Sequence, residues 1–421
     1  MMVSRVKGMN DRLPSETKKW EALENRLRAI FALYNFKEIR TPLVEHSDVY
    51  HRKNEFSDMV TKETYDFKDR SDRDLTLRPE GTAGIVRSYI ENRLYASEDS
   101  KKYFYMGPFY RYERPQKGRY REFNQFGVEV FDSSNPSADA EVITLAYDII
   151  GDLGLRGVSV NINSLGDETS REAYKNALIS YFKPYEAELC DDCKKRIAKN
   201  PLRILDCKVD GDKDFIKKAP KPLQFLSKES ANRFEMVKKY LDTSNVKYKV
   251  VDSLVRGLDY YGDTVFEIAA SIEGFGNANV LGGGGAYYNL VKELGGPDTV
   301  GIGFGFGMER LLLALEISNI DISNQDTLDT FLITMGDNAD IKGAQILREL
   351  RKNKISSDFA YNVSSFKAKL KQAVRSNAKY FLIFGDDEFA NNVITIKNST
   401  TTKQEIVSLA KYIEYIKENI K

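Results

Sequence analysis

The stretch Phe109–Phe123, FYRYERPQKGRYREF, decides how the rest of the sequence is interpreted. An aromatic run at Tyr103–Met106 precedes it, and an apolar run at Phe126–Phe131 follows it. The two runs predict an antiparallel pair of strands joined by a long basic loop. A charge run of this kind is most often a solvated hairpin. A long structured loop inside a compact domain is usually functional, however, and Arg111 follows the aromatic strand, so we expect the loop to begin inside a cleft.

The strand after the loop places two polar side chains on one face. Gln125 and Glu129 are four residues apart, and the period-two alternation of a strand puts both on the same side. Burying an amide and a carboxylate is costly unless a polar ligand lies against them. The arginines of the loop suit phosphate, because a planar guanidinium can bind two oxygens at once. Loop and strand together predict a site for a polar, anionic ligand.

A second arginine stands among apolar residues in Leu254–Tyr261, LVRGLDYY. Arg256 enters a predicted strand, and an arginine in such surroundings normally needs a buried anionic partner. That partner is either Asp259, in an internal ion pair that holds a turn, or an anionic ligand. The sequence leaves both alternatives open.

Two glycine-rich segments complete the pattern. Gly282–Gly285 is a run of four glycines, which lets a ligand or another backbone approach closely. It lacks the flanking residues of a dinucleotide fingerprint or a P-loop. Gly301–Arg310, GIGFGFGMER, alternates glycine with apolar residues and predicts a strand that runs into a helix. Arg310 at the helix start opposes the helix dipole, which is costly unless an anion lies nearby.

Length and composition indicate a globular protein of more than one domain. The chain has 421 residues, of which 42% are hydrophobic and 30% charged, which argues against wholesale disorder. A net charge of +1 excludes a large basic field, so a nucleic-acid partner would be held by local patches. No apolar run approaches the ~20 residues that span a bilayer, so we expect no membrane partner. Only three cysteines are present, which argues against a disulfide framework and predicts a cytoplasmic protein.

A polar stretch at Asn319–Leu328 is the expected linker between two domains. The first is predicted at residues 1–325, with a lysine-rich helical insertion at about 167–250, and the second, an α/β unit, at 326–421. A helix at Lys403–Ile420 is predicted to end the chain. On an earlier predicted helix, a basic stripe would either follow phosphates or face solvent; it consists of Lys367, Lys369, Lys371 and Arg375.

The cysteines have the spacing of three zinc ligands. Cys190 and Cys193 form a C-x-x-C pair, and Cys207 follows. A closed structural zinc site needs four ligands. There is no fourth cysteine, and both histidines, His46 and His51, are distant in sequence. On this count we expect no metal site.

These segments together resemble the histidyl-tRNA synthetases of bacterial type, a family of class II aminoacyl-tRNA synthetases, over nearly the whole chain. Phe109–Phe123 resembles class II motif 2, and Gly301–Arg310 resembles motif 3. Leu254–Glu267 and the glycine cluster resemble the family's two histidine-specific signatures, of which the first is highly specific. Three further segments match the family's opening, its motif 1 at the dimer interface and an amino-acid-binding segment: Lys7–Pro14, the strand that ends at Pro42, and Leu77–Thr82.

The resemblance implies an α+β catalytic domain built on an antiparallel sheet, a helical insertion and a C-terminal α/β anticodon-binding domain. It implies a ligase that activates L-histidine with ATP and Mg²⁺, giving histidyl-adenylate and pyrophosphate. The histidyl group then passes to the terminal ribose of histidine tRNA. A homodimer is implied as well, with no tightly bound metal.

The resemblance also implies a role for each matching position. Arg111 and Arg256 would be catalytic at the α-phosphate. Glu113 would lie near the ATP base, and Arg310 would hold the γ-phosphate. Glu80 would bind the amine of histidine, Glu129 and two tyrosines its imidazole, and the full histidine-binding set would be Glu80, Thr82, Gln125, Glu129, Tyr260 and Tyr287. The loop residues expected at the acceptor end of the tRNA are Gln116, Lys117 and Arg119.

One departure from the family lies in the glycine cluster, which usually continues with arginine, tyrosine and aspartate. Here Ala286, Tyr287 and Tyr288 stand at these positions, so the charged pair is lost together. The alternative to the ligase is a non-charging synthetase paralogue, such as the regulatory subunit of ATP phosphoribosyltransferase. That relative usually lacks the C-terminal unit. This chain continues for nearly a hundred residues past the linker and keeps its three key arginines, which favours the ligase.

Overall fold

A computed structural model of the chain describes residues 3–52, 57–116, 118–132, 134–205, 207, 209–273, 275, 280–323, 327–361, 363 and 365–420. Backbone contacts divide the chain into two compact units, the first of which ends at Ser323. Lys117, one of the predicted tRNA-contacting residues, lies outside the described residues. Within the described part of the chain, no helix combines the length and the apolar character needed to cross a membrane.

The β-strands of the described residues are, in chain order, β1 (Lys37–Glu38), β2 (Val44–His46), β3 (Tyr65–Lys68), β4 (Asp74–Leu77), β5 (Lys102–Tyr110), β6 (Glu122–Phe131), β7 (Val158–Ser164), β8 (Tyr248–Val250), β9 (Tyr261–Ala270), β10 (Val280–Tyr287), β11 (Gly301–Gly307), β12 (Thr330–Met335), β13 (Ser357–Phe359), β14 (Tyr380–Gly385), β15 (Val393–Asn398) and β16 (Gln404–Ser408).

The α-helices of the same residues are α1 (Pro14–Leu33), α2 (Asp58–Lys62), α3 (Thr82–Glu91), α4 (Pro136–Asp152), α5 (Glu168–Phe182), α6 (Asp191–Lys199), α7 (Leu202–Leu205), α8 (Asp214–Lys217), α9 (Lys228–Thr243), α10 (Leu290–Glu293), α11 (Met308–Ile317), α12 (Asp337–Lys352), α13 (Phe366–Arg375), α14 (Asp386–Asn391) and α15 (Tyr412–Asn419). Short 3₁₀ turns lie at Ser47–Val49, Leu94–Ala96, Lys183–Glu188 and Pro222–Phe225.

The large sheet of the first unit runs in the order β1-β5-β6-β11-β10-β9-β7-β8. Its central pairs are antiparallel, whereas the edge pairs β1–β5 and β7–β8 are parallel. The predicted antiparallel pair is confirmed, because β5 and β6 pair from Lys102↔Val130 to Tyr110↔Glu122 and the basic loop joins them. The smaller sheet β2-β4-β3 precedes the pair in sequence.

The two faces of β11 differ completely in side-chain size. Phe304 and Phe306 point to one face and join the main apolar core, which also contains residues of α1, α4, α9 and α11. The ring of Phe306 stacks on that of Phe126 with centroids 5.2 Å apart. On the other face the glycines pair with the polar face of β6, as Gly303↔Glu129, Gly305↔Gly127 and Gly307↔Gln125. One face is therefore a packed core, and the other lacks Cβ atoms along β11, which leaves room for a cleft.

The segment between β7 and β8 is helical and has two distinct parts. Helices α5 to α8 enclose a small core of their own, which includes Tyr174, Phe182, Cys193 and Ile204. Helix α9 instead contributes Phe234, Val237 and Leu241 to the main core. The chain then returns to the large sheet through β8, which extends it beside β7.

The second unit has a mixed sheet in the order β13-β12-β14-β15-β16. The predicted helix at Lys403–Ile420 is wrong in its first half, because Gln404–Ser408 forms β16, antiparallel to β15. A tight turn sets up this pairing, in which the Asn398 Oδ1 accepts bonds from the amides of Thr400 and Thr401 at 3.0 and 2.8 Å. The alternating exposure along β16 is that of an edge strand, and the helix proper is α15.

A substitution on β10 tests how closely its backbone packs. A Cβ atom added at Gly284 would lie 1.8 Å from the carbonyl oxygen of Gly303, so two backbones would have to separate. We expect Gly284→Ala to lower the free energy of unfolding by roughly 1–3 kcal/mol or more, as overpacking does. Urea unfolding followed by circular dichroism measures the change.

The matched control is Gly151→Ala in α4, where an added Cβ would meet nothing within 4 Å. Alanine in a helix is favoured over glycine by about 0.5–1 kcal/mol, so this variant should be neutral or slightly more stable. Equal stability of the two variants would contradict the packing described for β10 and β11.

Candidate active site

A cavity of about 290 Å³ lies on the glycine face of the large sheet. Its walls come from β6, β10 and β11, from the basic loop and from the segment that precedes β9. Most of the predicted site residues line it, namely Glu80, Thr82, Arg111, Glu113, Arg119, Gln125, Arg256, Tyr260 and Arg310. Gln116, Glu129 and Tyr287 are not part of the lining. The structure thus brings together residues that are up to 230 positions apart in sequence.

Arg111 and Arg310 are held by backbone carbonyls. The Arg111 Nε donates to the oxygen of Pro79 at 2.8 Å, and its guanidinium lies 5.1 Å from the centroid of the Phe123 ring. The Arg310 Nη1 donates to the oxygen of Val280 at 2.7 Å. Neutral partners fix the direction of each guanidinium but leave its charge uncompensated.

Positive charge accumulates at one end of the cavity. Burial lowers the pKa of Arg310, and the neighbouring charge of Arg119 lowers it further, while the carboxylate of Glu113 opposes the shift. Two acidic side chains line the cavity near Arg310: Glu113, whose Oε2 lies 3.5 Å from Arg119, and Glu309, whose Oε1 lies 3.1 Å from Arg12. Clustered arginines with so little acidic compensation form a site for a polyanion. A bound polyanion would be the anion that we expect near Arg310 at the start of its helix.

Arg256 is bound to a different carboxylate from the one considered in the sequence. Its Nη1 donates to the Oε1 of Glu267 at 2.6 Å, and its buried Nε has no hydrogen-bond partner among the described residues. The internal Arg256–Asp259 pair is therefore wrong. Asp259 instead accepts bonds from Arg203 at 2.9 Å and from Asn200 at 2.8 Å, both on the helical segment between β7 and β8.

Glu80 binds the start of α3. Its two carboxylate oxygens accept bonds from the backbone amides of Thr82 at 2.6 Å and Ala83 at 2.8 Å. These amides belong to the unsatisfied donors at a helix N-terminus, where negative charge is favoured. Burial raises the pKa of Glu80, and the amide bonds and the charge of Arg52 act against that rise. The carboxyl group is thus fixed at the cavity wall with lone pairs remaining for a ligand.

Glu129 lies beneath the floor of the cavity rather than in its wall. Its Oε1 accepts a bond from the Thr82 hydroxyl at 2.6 Å, and its Oε2 accepts one from the Tyr287 hydroxyl at 2.8 Å. The side chain is fully buried, and burial raises the pKa of Glu129 to about 8, although both hydroxyl bonds lower it. The acid therefore keeps its proton at neutral pH. Gly303 is required above it, because a Cβ there would lie 2.2 Å from the Glu129 Oε2.

Three tyrosines of the lining were not among the predicted site residues. Tyr105, Tyr120 and Tyr261 all border the cavity. The Tyr105 ring fills the space that side chains at Gly81 and Gly127 would need, since added Cβ atoms would lie about 2.4–2.5 Å from its ring carbons. The signal was present in the register, because Tyr105 faces Gly127 across the β5–β6 pair, and a glycine opposite an aromatic residue leaves room for its ring.

The residues that depart from the family pattern lie away from the cavity. Ala286 is packed in the main apolar core beside Ile302. The Tyr288 hydroxyl donates to Asp263, and Asp263 also lies 3.9 Å from the guanidinium of Arg233. Neither departure therefore changes a wall of the cavity.

Comparisons with known proteins cover both units. A family model described as histidyl-tRNA synthetase matches residues 8–311, and one described as an anticodon binding domain matches 329–419. The histidine–tRNA ligase of Acholeplasma laidlawii is 52% identical over 414 residues, covering 98% of this chain and 99% of its own. The chain belongs to the histidyl-tRNA synthetase family.

Two further comparisons indicate the same family. The histidine–tRNA ligase of Staphylococcus aureus strain JH9 is 46% identical over 420 residues, which cover 99% of this chain and all of that protein. The crystal structure of apo histidyl-tRNA synthetase from S. aureus matches with a TM-score of 0.86 and 41% identity over 99% of this chain and 100% of that one. The predicted fold class, an antiparallel catalytic sheet followed by a C-terminal α/β unit, is thereby confirmed.

The raised pKa of Glu129 predicts a pH dependence of stability. Between its ordinary pKa of 4.5 and about 8, the folded state holds a proton that the unfolded state has released. The free energy of unfolding therefore falls as pH rises through this window. The Glu129→Gln variant cannot ionise at this position. We expect its free energy of unfolding, relative to that of wild type, to rise by roughly 1 kcal/mol per pH unit between pH 5.5 and 7.5. Urea unfolding at several pH values measures the difference.

The control is Glu38→Gln. Burial raises the pKa of Glu38, but hydrogen bonds from Arg40 and Arg28 bring it below its ordinary value. Glu38 is thus ionised in both states over the same window, and its substitution should shift stability equally at pH 5.5 and 7.5. A pH-independent effect of Glu129→Gln would show that Glu129 is ionised in the folded protein.

Proposed function

We propose that this protein activates L-histidine with ATP and transfers the histidyl group to histidine tRNA. The observation that carries the proposal is the single cavity in which Arg111, Arg119, Arg256 and Arg310 meet a wall of hydrogen-bonding groups. The arginines provide for a polyphosphate, and the polar wall provides for a small ligand with an amine and a ring. Both halves of a histidyl-adenylate therefore find complementary surfaces in one place.

In the first step, a carboxylate oxygen of histidine attacks the α-phosphorus of ATP, and the bond from that phosphorus to the bridging oxygen breaks to release pyrophosphate. Negative charge on the α-phosphate oxygens is stabilised by Arg111 and Arg256, whose positions are fixed before the reaction by Pro79 and Glu267. Arg310 holds the γ-phosphate, and Glu113 lies near the base. The nucleotide enters as its Mg²⁺ complex.

The histidine side of the cavity combines fixed acceptors with one unused donor. Glu80 receives the amine, with Thr82 and Gln125 beside it. The buried hydroxyl of Tyr260 has no partner among the described residues, so a ligand nitrogen would satisfy it. Glu129 and Tyr287 lie beneath the floor and act through Thr82, which lines the cavity and donates its hydroxyl to Glu129. A site that must satisfy such groups rejects apolar side chains of similar size.

The second unit supplies the surface for the tRNA anticodon. On α13, Lys367, Lys371 and Arg375 are exposed at four-residue spacing and form one basic face. Lys369 does not belong to this face, because its side chain is buried and its Nζ donates to the oxygen of Thr334 at 2.8 Å. At the other end of the tRNA, Gln116 and Arg119 pair across the tip of the basic loop and are proposed to contact the acceptor strand. The cytoplasmic location and the homodimer stay predictions.

The decisive experiment is amino-acid-dependent ATP–pyrophosphate exchange with each of the twenty amino acids. We expect exchange with histidine alone. Arg256→Ala should reduce it by about 10²-fold or more, as removal of a transition-state donor does. Arg26→Ala, on the exposed side of α1, is the control and should retain full activity.

Absence of exchange with every amino acid, while histidine still binds in calorimetry, would overturn the ligase and favour the non-charging paralogue. Near-normal exchange by Arg256→Ala would show instead that this residue only holds Glu267. Glu267→Gln separates the two roles, because it should lower the rate only modestly if Arg256 itself contacts the phosphate.

A charge reversal on α13 tests the tRNA surface. We expect Lys371→Glu to raise the KM for histidine tRNA in aminoacylation about tenfold, while ATP–pyrophosphate exchange stays unchanged. The increase in KM should be larger at low salt. Lys411→Glu is the control, since α15 packs against the opposite face of the sheet. Equal effects of the two substitutions on aminoacylation would contradict the proposal that α13 contacts the tRNA.

A further inference from the structure

The helical segment between β7 and β8 holds four potential metal ligands in one cluster. The sulfurs of Cys190, Cys193 and Cys207 and a carboxylate oxygen of Asp210 all lie within 4.8 Å of one another. Cysteine and histidine side chains alone supply three of these ligands, so the sequence predicts no metal site. Asp210 is the fourth, and it was overlooked because a carboxylate is a less common zinc ligand than a thiolate or an imidazole.

We propose that Cys190, Cys193, Cys207 and Asp210 bind one structural Zn²⁺ ion. The distances fit this ion better than a disulfide. The sulfurs of Cys190 and Cys207 are 3.9 Å apart. Zn–S bonds of about 2.3 Å in a tetrahedron put neighbouring sulfurs about 3.8 Å apart. A disulfide between them would require the sulfurs to approach by almost 2 Å.

The backbone turns tightly after Cys207 and directs an amide at its sulfur. Cys207 and Asp210 stand in the order C-x-x-D-G, and Cys190 and Cys193 in the order C-x-x-C. The Val209 amide lies 3.4 Å from the Cys207 sulfur and donates to it, and the Gly211 amide donates to the Cys207 carbonyl at 2.8 Å. Gly211 must be glycine here, because an added Cβ would lie 2.6 Å from that carbonyl. Amide bonds to sulfur favour the thiolate, the form that binds metal.

Burial and charge also agree with a closed site. The side chains of Cys193 and Asp210 are fully buried. Three thiolates and a carboxylate around Zn²⁺ leave a net charge of −2, and cations lie close enough to offset it. The Lys213 Nζ is 2.8 Å from the Asp210 Oδ1, and the Arg196 Nη1 is 3.9 Å from the Cys193 sulfur. A buried, soft-ligand, four-coordinate set of this kind selects Zn²⁺ over Mg²⁺ or Ca²⁺.

The ion would fix a segment that reaches the active site. Arg203 and Asn200 lie between Cys193 and Cys207 and hold Asp259, three residues from Arg256. A metal that binds both ends of this segment closes it into a loop and limits how far these two side chains can move. The ion is thus structural and has no place in the chemistry of the cavity.

The metal content of the full chain tests the proposal. Protein produced in zinc-supplemented medium and dialysed against a weak chelator should contain about one Zn²⁺ per chain by mass spectrometry of the metal. Cys193→Ser should lose it, and Asp210→Asn should release it to the chelator at least tenfold faster. Asp191→Asn, an exposed neighbour on α6, is the matched control and should keep the full complement.

Cobalt provides a second measurement that does not depend on the variants folding. The reduced, metal-free wild-type chain should bind one Co²⁺ and develop the thiolate-to-cobalt absorption and strong visible bands of a tetrahedral site. Stoichiometric zinc should displace the cobalt and bleach these bands. The proposal is overturned if zinc stays far below one per chain and no cobalt spectrum develops, or if peptide mapping without reductant finds a Cys190–Cys207 disulfide in the freshly purified protein.

Discussion

The cleft exists because β10 and β11 carry hydrogen atoms on the face where other strands carry side chains. Glycine at every second position of β11 lets Glu129 lie directly beneath the floor and lets Tyr105 cross it, while the phenylalanines between the glycines build the core on the opposite face. Strands with glycine throughout would be weak. Here the alternation concentrates the apolar burial on one side, so that stability and access to ligand are provided by opposite faces of the same strand.

The arginines of the cleft have few acidic partners. Arg111 and Arg310 are oriented by backbone carbonyls, and Arg256 by one carboxylate, so the cavity retains excess positive charge. Glu129, beneath the floor, is neutral because burial raises its pKa. The cavity therefore presents a cationic end and a hydrogen-bonding end that contains Glu80. An aminoacyl group joined to a phosphate matches this polarity, with the phosphate at the arginines and the amine at Glu80.

The sequence was most informative where function restricts residue type. The basic loop, the glycine strand and the arginines were predicted from local pattern, and the register of β5, β6 and β11 placed them together. Partners that are distant in sequence were not predictable. Asp259 is held by Arg203, 56 positions away, and no local feature distinguishes that pair from the Arg256–Asp259 pair. The prediction of a helix from Lys403 was wrong for a similar reason. The residues of β16 form a strand because β15 lies beside them.

The two faces of β11 also differ in how they can evolve. The phenylalanine face can exchange one large apolar side chain for another, provided that volume is conserved. The glycine face has less freedom, because a methyl group would collide with Glu129 at Gly303 and with the ring of Tyr287 at Gly301, whereas Gly305 and Gly307 have more room. A compound that filled the cleft against β10 would press on Gly282 and Gly283, where an added methyl group would collide with the Phe306 ring or the Phe266 carbonyl, so escape by substitution there costs the fold itself. Resistance to such an inhibitor would have to arise at Gly305 and Gly307, where there is room for a methyl group, or in the surrounding loops, where side chains can turn away.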